Sequence, residues 1–416
     1  MLRHDFIRKL FNNSLAHGLN FGSRWLLNLL LARYMLDADF GLFSYVYMLA
    51  NLFFPAIAFG VSFYLIHHSA QRQEPALLFN SLLLSAGVFL LLLGGAALWV
   101  ASGQSEVAFE LYALSLGIGL LWALAQALFS YLKGRQQFFV EVKTNFISAL
   151  CLGVVLLLLM LDVLNSVEEV LWAILICGLV PVWMGLAVVW PELCQHWQAY
   201  RQAFGRQLGW HSFVERLPFA WADLFAIVMT NIPFIFLALF SSLLELGQFR
   251  KLFILFMPVT LLPVIFSQVF LSRLSRLTEL GAKLQFFRKM LLLSLPVLSV
   301  PYVVMWPLAE WLYELCFHEV LSADAVLMLH LVLTTLWLTL VKTYFEVLLT
   351  SLGANKRKAS LVTLAVVLTS SGYLWFNSAL TVAITSWLFL AGNMTVTLML
   401  ALACWFEIRR KKTGGV

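Results

Sequence analysis

Residues Asn13 to Asn28 read Asn-Ser-Leu-Ala-His-Gly-Leu-Asn-Phe-Gly-Ser-Arg-Trp-Leu-Leu-Asn, and this stretch decides the fold class. On a helix its polar side chains share an arc of roughly 80°, while the other faces are apolar. A helix of about 20 residues crosses a bilayer. Arg24 then lies near the midplane, where a charge is costly unless it faces protein or water. The polar stripe therefore predicts a polar interior surrounded by other helices; it comprises Asn13, His17, Asn20, Arg24 and Asn28.

Two roles for Arg24 follow from this position. It could pair with a buried carboxylate and hold a helix bundle together, and Asp223 in a later apolar run is the best candidate for that partner. Alternatively, it lines a cavity and meets an anionic substrate, which is the interpretation that the surrounding polar stripe favours.

The composition excludes an ordinary soluble protein. Of the 416 residues, 62% are hydrophobic and 12% are charged, whereas a soluble chain carries about 25% charged residues. The net charge of +6 does not indicate nucleic-acid binding, because the basic residues form short clusters between apolar runs. The five cysteines are scattered without metal-ligand spacing, so no metal site or other cofactor is expected.

Apolar runs and turn residues predict an all-α polytopic membrane protein with about twelve spans. Basic residues concentrate in the two tails and in alternate loops, and acidic residues occupy the opposite loops. By the positive-inside rule, both termini are cytoplasmic. The predicted spans are 13–35, 41–66, 77–101, 107–131, 140–162, 168–190, 216–240, 247–271, 288–312, 323–350, 358–378 and 380–406.

A weak internal repeat divides the chain into two halves of six spans. Leu31-Ala32 followed by Asp39-Phe40-Gly41-Leu42-Phe43 matches Leu237-Ala238 followed by Glu245-Leu246-Gly247-Gln248-Phe249 at one constant offset. Each copy follows the first span of its half. The predicted domains are therefore an N-terminal six-helix bundle at 1–190, a cytoplasmic linker at 191–215 and a C-terminal six-helix bundle at 216–416. Transporters built from such repeats bind substrate between their halves.

Other charged residues also fall inside predicted spans. Arg250 and Lys251 lie in span 8, and we predict that they join Lys342 of span 10 in binding an anionic substrate. An i,i+4 ion pair between Lys342 and Glu346 is the structural alternative for that lysine. The intramembrane carboxylates Asp223 and Glu346 are the candidates for coupling transport to an ion.

Four turns carry a resemblance to a known family, the Wzx-type flippases of lipid-linked oligosaccharides. These polysaccharide biosynthesis proteins belong to the exporter superfamily that includes the multidrug MATE transporters and the peptidoglycan-precursor flippases. The resemblance covers nearly the whole chain in the right order. Its segments are Leu29-Leu30-Leu31-Ala32-Arg33-Tyr34 followed by Phe40-Gly41-Leu42-Phe43-Ser44, then Leu132-Lys133-Gly134-Arg135-Gln136-Gln137-Phe138, Leu271-Ser272-Arg273-Leu274-Ser275-Arg276, and Leu348-Leu349-Thr350-Ser351-Leu352-Gly353-Ala354-Asn355-Lys356.

The resemblance implies a MATE-like pair of six-helix bundles in the bacterial inner membrane. It also implies alternating-access transport of an undecaprenyl-diphosphate-linked oligosaccharide repeat unit to the outer leaflet, for O-antigen or a related surface polysaccharide. Pathway partners would be a polymerase and chain-length proteins, with the lipid bilayer as surroundings. Arg24 would pair with the diphosphate, since a planar guanidinium suits such groups. His17, Asn20 and Asn28 would meet sugar hydroxyls.

Two other function classes compete with this interpretation. A drug or cation antiporter of the MATE type would require acidic cavity residues, and the predicted interior carries more cations than anions. A membrane-embedded glycosyltransferase or polymerase usually needs a sizeable outer loop with catalytic carboxylates, and the longest outer connection here is short. No nucleotide-binding loop occurs in the sequence, so the expectation is a transporter and not an enzyme.

Overall fold

In the computed structural model, the described residues form twelve α-helices at the positions of the twelve predicted spans, which confirms the all-α, multi-pass fold class. The described residues are 2–61, 64–66, 69, 75–103, 108–135, 137–164, 166–195, 208–261, 270, 274, 277 and 279–412, without the side chains at 2–14, 17, 75, 208–212, 215, 218, 219, 222, 223, 226 and 355. The helices are α1 Leu2–Tyr34, α2 Asp37–Ala58, α3 Pro75–Ala101, α4 Phe109–Gly134, α5 Phe138–Met160, α6 Val167–Gln195, α7 Leu208–Phe240, α8 Leu243–Leu255, α9 Leu280–Phe317, α10 Ala323–Ser351, α11 Asn355–Trp375 and α12 Val382–Lys412.

Eight of these helices are long and apolar enough to cross a membrane among the described residues: α2 to α6, α9, α10 and α12. Many of their large apolar side chains are exposed, including Leu91, Trp183 and Val303. Such exposure would be unfavourable in water and is expected where a helix faces lipid. The chain is therefore a multi-pass membrane protein.

Helix boundaries differ most from the sequence-based prediction in the eighth span. The prediction placed it at 247–271, but α8 ends at Leu255 and is followed by a 3-10 turn over Met257–Thr260. Pro258 explains the change, because proline lacks the N–H that a continuing α-helix requires. Residues 262–269 lie outside the described part of the chain.

The chain forms two compact units. Unit 1 comprises Met1–Leu30 and Leu42–Val228, and unit 2 comprises Leu31–Gly41 and Met229–Val416. The hydrophobic core of unit 1 is built from α2, α3, α4 and α6, with Leu128 and Tyr131 fully buried. In unit 2, α10 packs against α9, α11 and α12. The domain boundaries predicted from the sequence halves stay a prediction.

The two copies of the sequence repeat contact each other within unit 2. A Cβ atom on Gly41 would lie 1.9 Å from the carbonyl oxygen of Leu243, and one on Gly247 would lie 2.3 Å from that of Asp37. Gly41 and Gly247 are equivalent in the repeat, and so are Asp37 and Leu243, which makes the contact reciprocal. Only glycine permits so close an approach of backbone, which explains why both copies carry it.

Arg216 is the first residue of the predicted span 216–240, but in the structure it lies well inside α7 and is 1% exposed. Its Nε donates a hydrogen bond of 3.0 Å to the carbonyl of Phe59, and its Nη2 donates one of 3.0 Å to that of Ala58. These carbonyls belong to the C-terminal end of α2, where Phe59 and Gly60 have positive φ angles. Arg216 therefore provides hydrogen-bond donors for the carbonyls at the C-terminal end of α2 within unit 1. Its positive charge is also favourable there, because the C-terminal end of a helix dipole is negative.

Candidate functional site

Unit 1 contains a cavity of about 270 Å³ lined by side chains of α1, α2, α4, α5 and α6, with Ile227 from α7. The described part of its lining includes amides, hydroxyls, one guanidinium and one carboxylate. Apolar and aromatic side chains such as Leu27, Phe54 and Phe129 complete the wall. A mostly apolar pocket with a few converging polar groups is the usual form of a ligand site.

Arg24 contributes the only guanidinium among the described residues that line this cavity. The helix α1 is continuous through the polar stripe, and it places Asn20, Ser23 and Arg24 at the cavity together. The guanidinium carbon of Arg24 lies 4.2 Å from the centroid of the Trp122 ring, within cation–π distance. Among the described side chains, no carboxylate forms an ion pair with Arg24.

The rest of the predicted stripe has different surroundings. The Asn28 side chain is 1% exposed, does not line the cavity, and donates a hydrogen bond of 2.8 Å to the backbone carbonyl of Arg24. The side chains of Asn13 and His17 lie outside the described residues. Substrate roles for His17, Asn20 and Asn28 stay predictions.

α5 provides a second polar stripe that the sequence analysis did not single out. Glu141, Asn145, Ser148 and Leu152 are spaced by four, three and four residues, and all line the cavity. The signal was available, because three polar residues at helical spacing interrupt an apolar run. We call Glu141, Asn145 and Ser148 the acceptor stripe.

The hydrogen bonds of the acceptor stripe define its chemistry. Glu141 is 8% exposed, and its Oε2 lies 2.9 Å from the Nζ of Lys133. The Nδ2 of Asn145 donates a bond of 3.0 Å to the carbonyl of Ala16. The Oγ of Ser148 is buried and has no hydrogen-bond partner among the described residues.

Two further amides line the cavity, those of Asn51 in α2 and Gln126 in α4. The Nδ2 of Asn51 donates a hydrogen bond of 2.8 Å to the carbonyl of Tyr47, so its Oδ1 is the atom with acceptor capacity to spare. Gln126 of α4 lies near Trp122 along the same lining. Glu141, Asn51 and Gln126 together make the cavity more polar than Arg24 alone would.

In unit 2, Lys251 belongs to an ion cluster formed with Asp37, Glu319 and Tyr313. The Lys251 residue is 2% exposed. Its Nζ forms an ion pair with Asp37 and another, of 2.6 Å, with the Oε1 of Glu319. Tyr313 donates a hydrogen bond of 3.1 Å to the Oε2 of Glu319. The positive charge of Lys251 is therefore compensated by two carboxylates.

The remaining predicted residues are also in unit 2, except Asp223, whose side chain lies outside the described residues. Arg250 is 5% exposed, and its guanidinium carbon lies 5.0 Å from the centroid of the Phe234 ring. The Nζ of Lys342 lies 3.9 Å from the Oε1 of Glu346, at the i,i+4 spacing expected from the sequence. Substrate roles for Arg250, Lys251 and Lys342, and coupling roles for Asp223 and Glu346, stay predictions.

Comparison with known proteins identifies a family signature and a fold. The profile of a family described as "Polysaccharide biosynthesis protein" matches residues 30–319. No curated protein matches the sequence.

Solved structures with this architecture include transporters and a flippase. An inward-facing multidrug resistance MATE transporter of the MOP superfamily is similar over 98% of this chain and 100% of its own, with a TM-score of 0.70 and 12% identity. The lipid II flippase MurJ, in an inward closed conformation, is similar over 94% of this chain and 87% of its own, with a TM-score of 0.65 and 14% identity. A MOP superfamily transporter from Pyrococcus furiosus, described as having a binding pocket of reverse polarity, is similar over 98% and 96% at a TM-score of 0.63 and 13% identity. At these identities the likeness shows the fold.

Proposed function

Since this chain belongs to the polysaccharide biosynthesis protein family, matched over residues 30–319, we propose that it is a flippase for an undecaprenyl-diphosphate-linked oligosaccharide repeat unit. It moves this substrate from the cytoplasmic to the outer leaflet of the bacterial inner membrane by alternating access, with both termini cytoplasmic. The product serves O-antigen or a related surface polysaccharide, and the polymerase and chain-length proteins of that pathway act next.

The observation that carries the proposal is the guanidinium of Arg24 at a polar cavity, where it forms no ion pair with a described carboxylate. A diphosphate carries about two negative charges and cannot enter hydrocarbon unpaired. A guanidinium presents a planar fork of donors that matches phosphate oxygens. Trp122 lies within cation–π distance of this guanidinium, and we propose that the N–H donors of Arg24 bind the anion.

The size of the cavity limits which part of the substrate it holds. A volume of about 270 Å³ is just below the roughly 300 to 1,000 Å³ of pockets for drug-sized ligands. It suits the diphosphate and the sugar next to it, not a whole repeat unit. The prenyl chain stays in the membrane, and Arg250 and Lys342 of unit 2 are the further anion contacts that we propose along the route. Lys251 is left out of this set, because Asp37 and Glu319 compensate its charge.

A drug or cation antiporter is the second candidate, and one observation favours it. Glu141 places a carboxylate at the cavity, as a cation site requires. Its charge is compensated by Lys133 at 2.9 Å, however, whereas the charge of Arg24 has no such compensation among the described side chains. The balance favours an anionic substrate.

Variants of Arg24 test the proposal in the host, with surface polysaccharide and membrane protein level as the two readouts. Arg24→Ala should abolish export while the protein still accumulates. Arg24→Lys should retain part of the activity, because a point charge keeps the attraction but loses the bidentate fork. Normal export by Arg24→Ala would refute the anchor role. The charge swap Arg24→Asp with Asp223→Arg is the second test. If it restored both export and protein level, the two residues would form a structural ion pair, and the anchor role would be refuted as well.

Coupling is tested separately at Asp223 and Glu346, the two proposed coupling carboxylates. Asp223→Asn and Glu346→Gln remove the titratable group at nearly constant size, so each should slow transport without loss of protein. Transport by both amide variants at the wild-type rate, across a range of proton gradients, would show that neither carboxylate couples transport to protons.

A further inference from the structure

The cavity of unit 1 is chemically divided, and the acceptor stripe lies on a different helix from Arg24. Arg24 projects from α1 and presents donors and a positive charge. Glu141, Asn145 and Ser148 project from α5 and present chiefly lone pairs. One ligand that satisfies both sides must combine an anionic group with hydrogen-bond donors.

Each member of the acceptor stripe has a defined capacity. The carboxylate of Glu141 accepts only, and one of its oxygens also faces Lys133. The Nδ2 of Asn145 is committed to the carbonyl of Ala16, which fixes the amide orientation and leaves Oδ1 as an acceptor. The hydroxyl of Ser148 is buried with no partner among the described residues. A buried hydroxyl without a partner is costly, so a ligand group that bonds to it gains affinity.

A phosphate group does not fit beside this stripe. Phosphate oxygens carry only lone pairs and negative charge, so the carboxylate of Glu141 and the Oδ1 of Asn145 would repel them. Sugar hydroxyls and acetamido N–H groups are donors and would be attracted. Resting on the proposed function, we infer that the acceptor stripe binds the hydroxyl or amide N–H donors of the sugar joined directly to the diphosphate, and so selects the substrate.

Ser148→Ala is the sharpest variant, because it removes a hydroxyl that bonds to no described residue and so should not cost stability. Ser85→Ala is a matched control. The Oγ of Ser85 is also buried without a partner among the described residues, but Ser85 lies on α3 and does not line the cavity. Glu141→Gln is a second variant, which exchanges one acceptor oxygen for a donor of the same size.

Binding is measured to the purified protein with two kinds of probe. One is a short-chain prenyl diphosphate without sugar, and the other is the same diphosphate carrying one hexose or one N-acetylhexosamine. The wild type and Ser85→Ala should bind a sugar-bearing probe more tightly than the bare one. Ser148→Ala should weaken binding of the sugar-bearing probe by about three- to tenfold, the range for a lost neutral hydrogen bond. Its affinity for the bare probe should not change, and Glu141→Gln should act in the same direction.

The outcomes separate this inference from the function it rests on. If wild type binds neither probe, or if Arg24→Ala binds both as well as wild type does, the proposed diphosphate site is wrong. If Arg24→Ala loses both probes while Ser148→Ala and Glu141→Gln keep the wild-type preference for sugar, the diphosphate site stands and the acceptor stripe does not read the sugar. Equal weakening of both probes by Ser148→Ala would overturn the inference as well.

Discussion

Arg24 in unit 1 and Lys251 in unit 2 are both basic residues inside apolar helices, but their surroundings differ. Lys251 is almost fully buried and forms ion pairs with Asp37 and Glu319. Arg24 lies over the Trp122 ring at a cavity and has no ion pair with a described carboxylate. The first arrangement compensates a charge with two carboxylates of the protein, and in the second no described carboxylate does so.

The contrast shows what a charged residue within an apolar helix can and cannot indicate about function. A basic residue within a membrane span suggests function whether it lies in a cavity or an ion cluster. The two cases are separated by whether a carboxylate lies within ion-pair distance of the basic group in the folded protein. The partners of Lys251 are the first residue of α2, Asp37, and Glu319 in the loop after α9, both remote from it in sequence.

The largest effect on stability is expected from Gly247→Ala. A Cβ atom at this position would lie 2.3 Å from the backbone oxygen of Asp37, and backbone cannot swing aside as a flexible side chain does. The shift would also move Asp37 away from Lys251. We therefore expect the free energy of unfolding to fall by about 3 kcal/mol, the upper part of the usual range for overpacking. Thermal unfolding of the purified protein in detergent measures the loss.

Gly94→Ala in α3 is the matched control for Gly247→Ala. No atom lies within 4 Å of the position that its Cβ would take. Alanine should be neutral there or stabilise the helix by up to about 1 kcal/mol, because glycine loses more backbone entropy on folding. Equal unfolding temperatures for the two variants would show that the glycine contact between the repeat copies is not tightly packed.

A smaller effect is expected from Lys251→Met, which removes the charge from the ion cluster. The side chains of Asp37 and Glu319 are 30% and 47% exposed, so water can compensate part of the loss. We expect about 2 kcal/mol of destabilisation, below the roughly 3 to 5 kcal/mol for a fully buried pair. Transport per correctly folded molecule should fall little.

Arg24→Met provides the opposite pattern and is measured beside Lys251→Met. It leaves no described carboxylate unpaired, so the unfolding temperature should stay within a few degrees of wild type while transport is lost. If Lys251→Met abolished transport at an unchanged unfolding temperature, Lys251 would belong with Arg24 as a substrate contact. The comparison between the two regions would then fail.

Sequence patterns predicted the helices well, because an apolar run of spanning length has few alternatives in a membrane. They also predicted that Asn20 and Arg24 share a face, which periodicity alone determines. Periodicity does not show what lies opposite that face. Asn28 lies on the same arc, yet its amide bonds to the backbone of Arg24 and does not line the cavity.

The acceptor stripe on α5 shows the other limit. Glu141 lies at the start of its predicted span, where a charged residue is ordinary, and nothing in its own segment shows that it lines the same cavity as Arg24. Similarly, the sequence placed Arg216 at the very start of a predicted span, whereas α7 begins at Leu208 and carries Arg216 in its interior. In each case the decisive contact joins helices that are remote in sequence.

The smallest effect is expected from the pair formed by Lys342 and Glu346, which tests where water reaches in unit 2. The two side chains are 15% and 31% exposed, and their charged atoms are 3.9 Å apart, at the limit for an ion pair. Pairs at i,i+4 with access to water contribute about 0.3 to 0.5 kcal/mol. Lys342→Met and Glu346→Gln should therefore each change the free energy of unfolding by less than about 0.5 kcal/mol, and the double variant by a nearly additive amount.

Thermal unfolding of the three variants measures this coupling. Destabilisation of about 2 kcal/mol by either single variant, largely reversed in the double variant, would instead place this pair beside Lys251 as a buried structural contact, and it would remove Lys342 from the proposed substrate route.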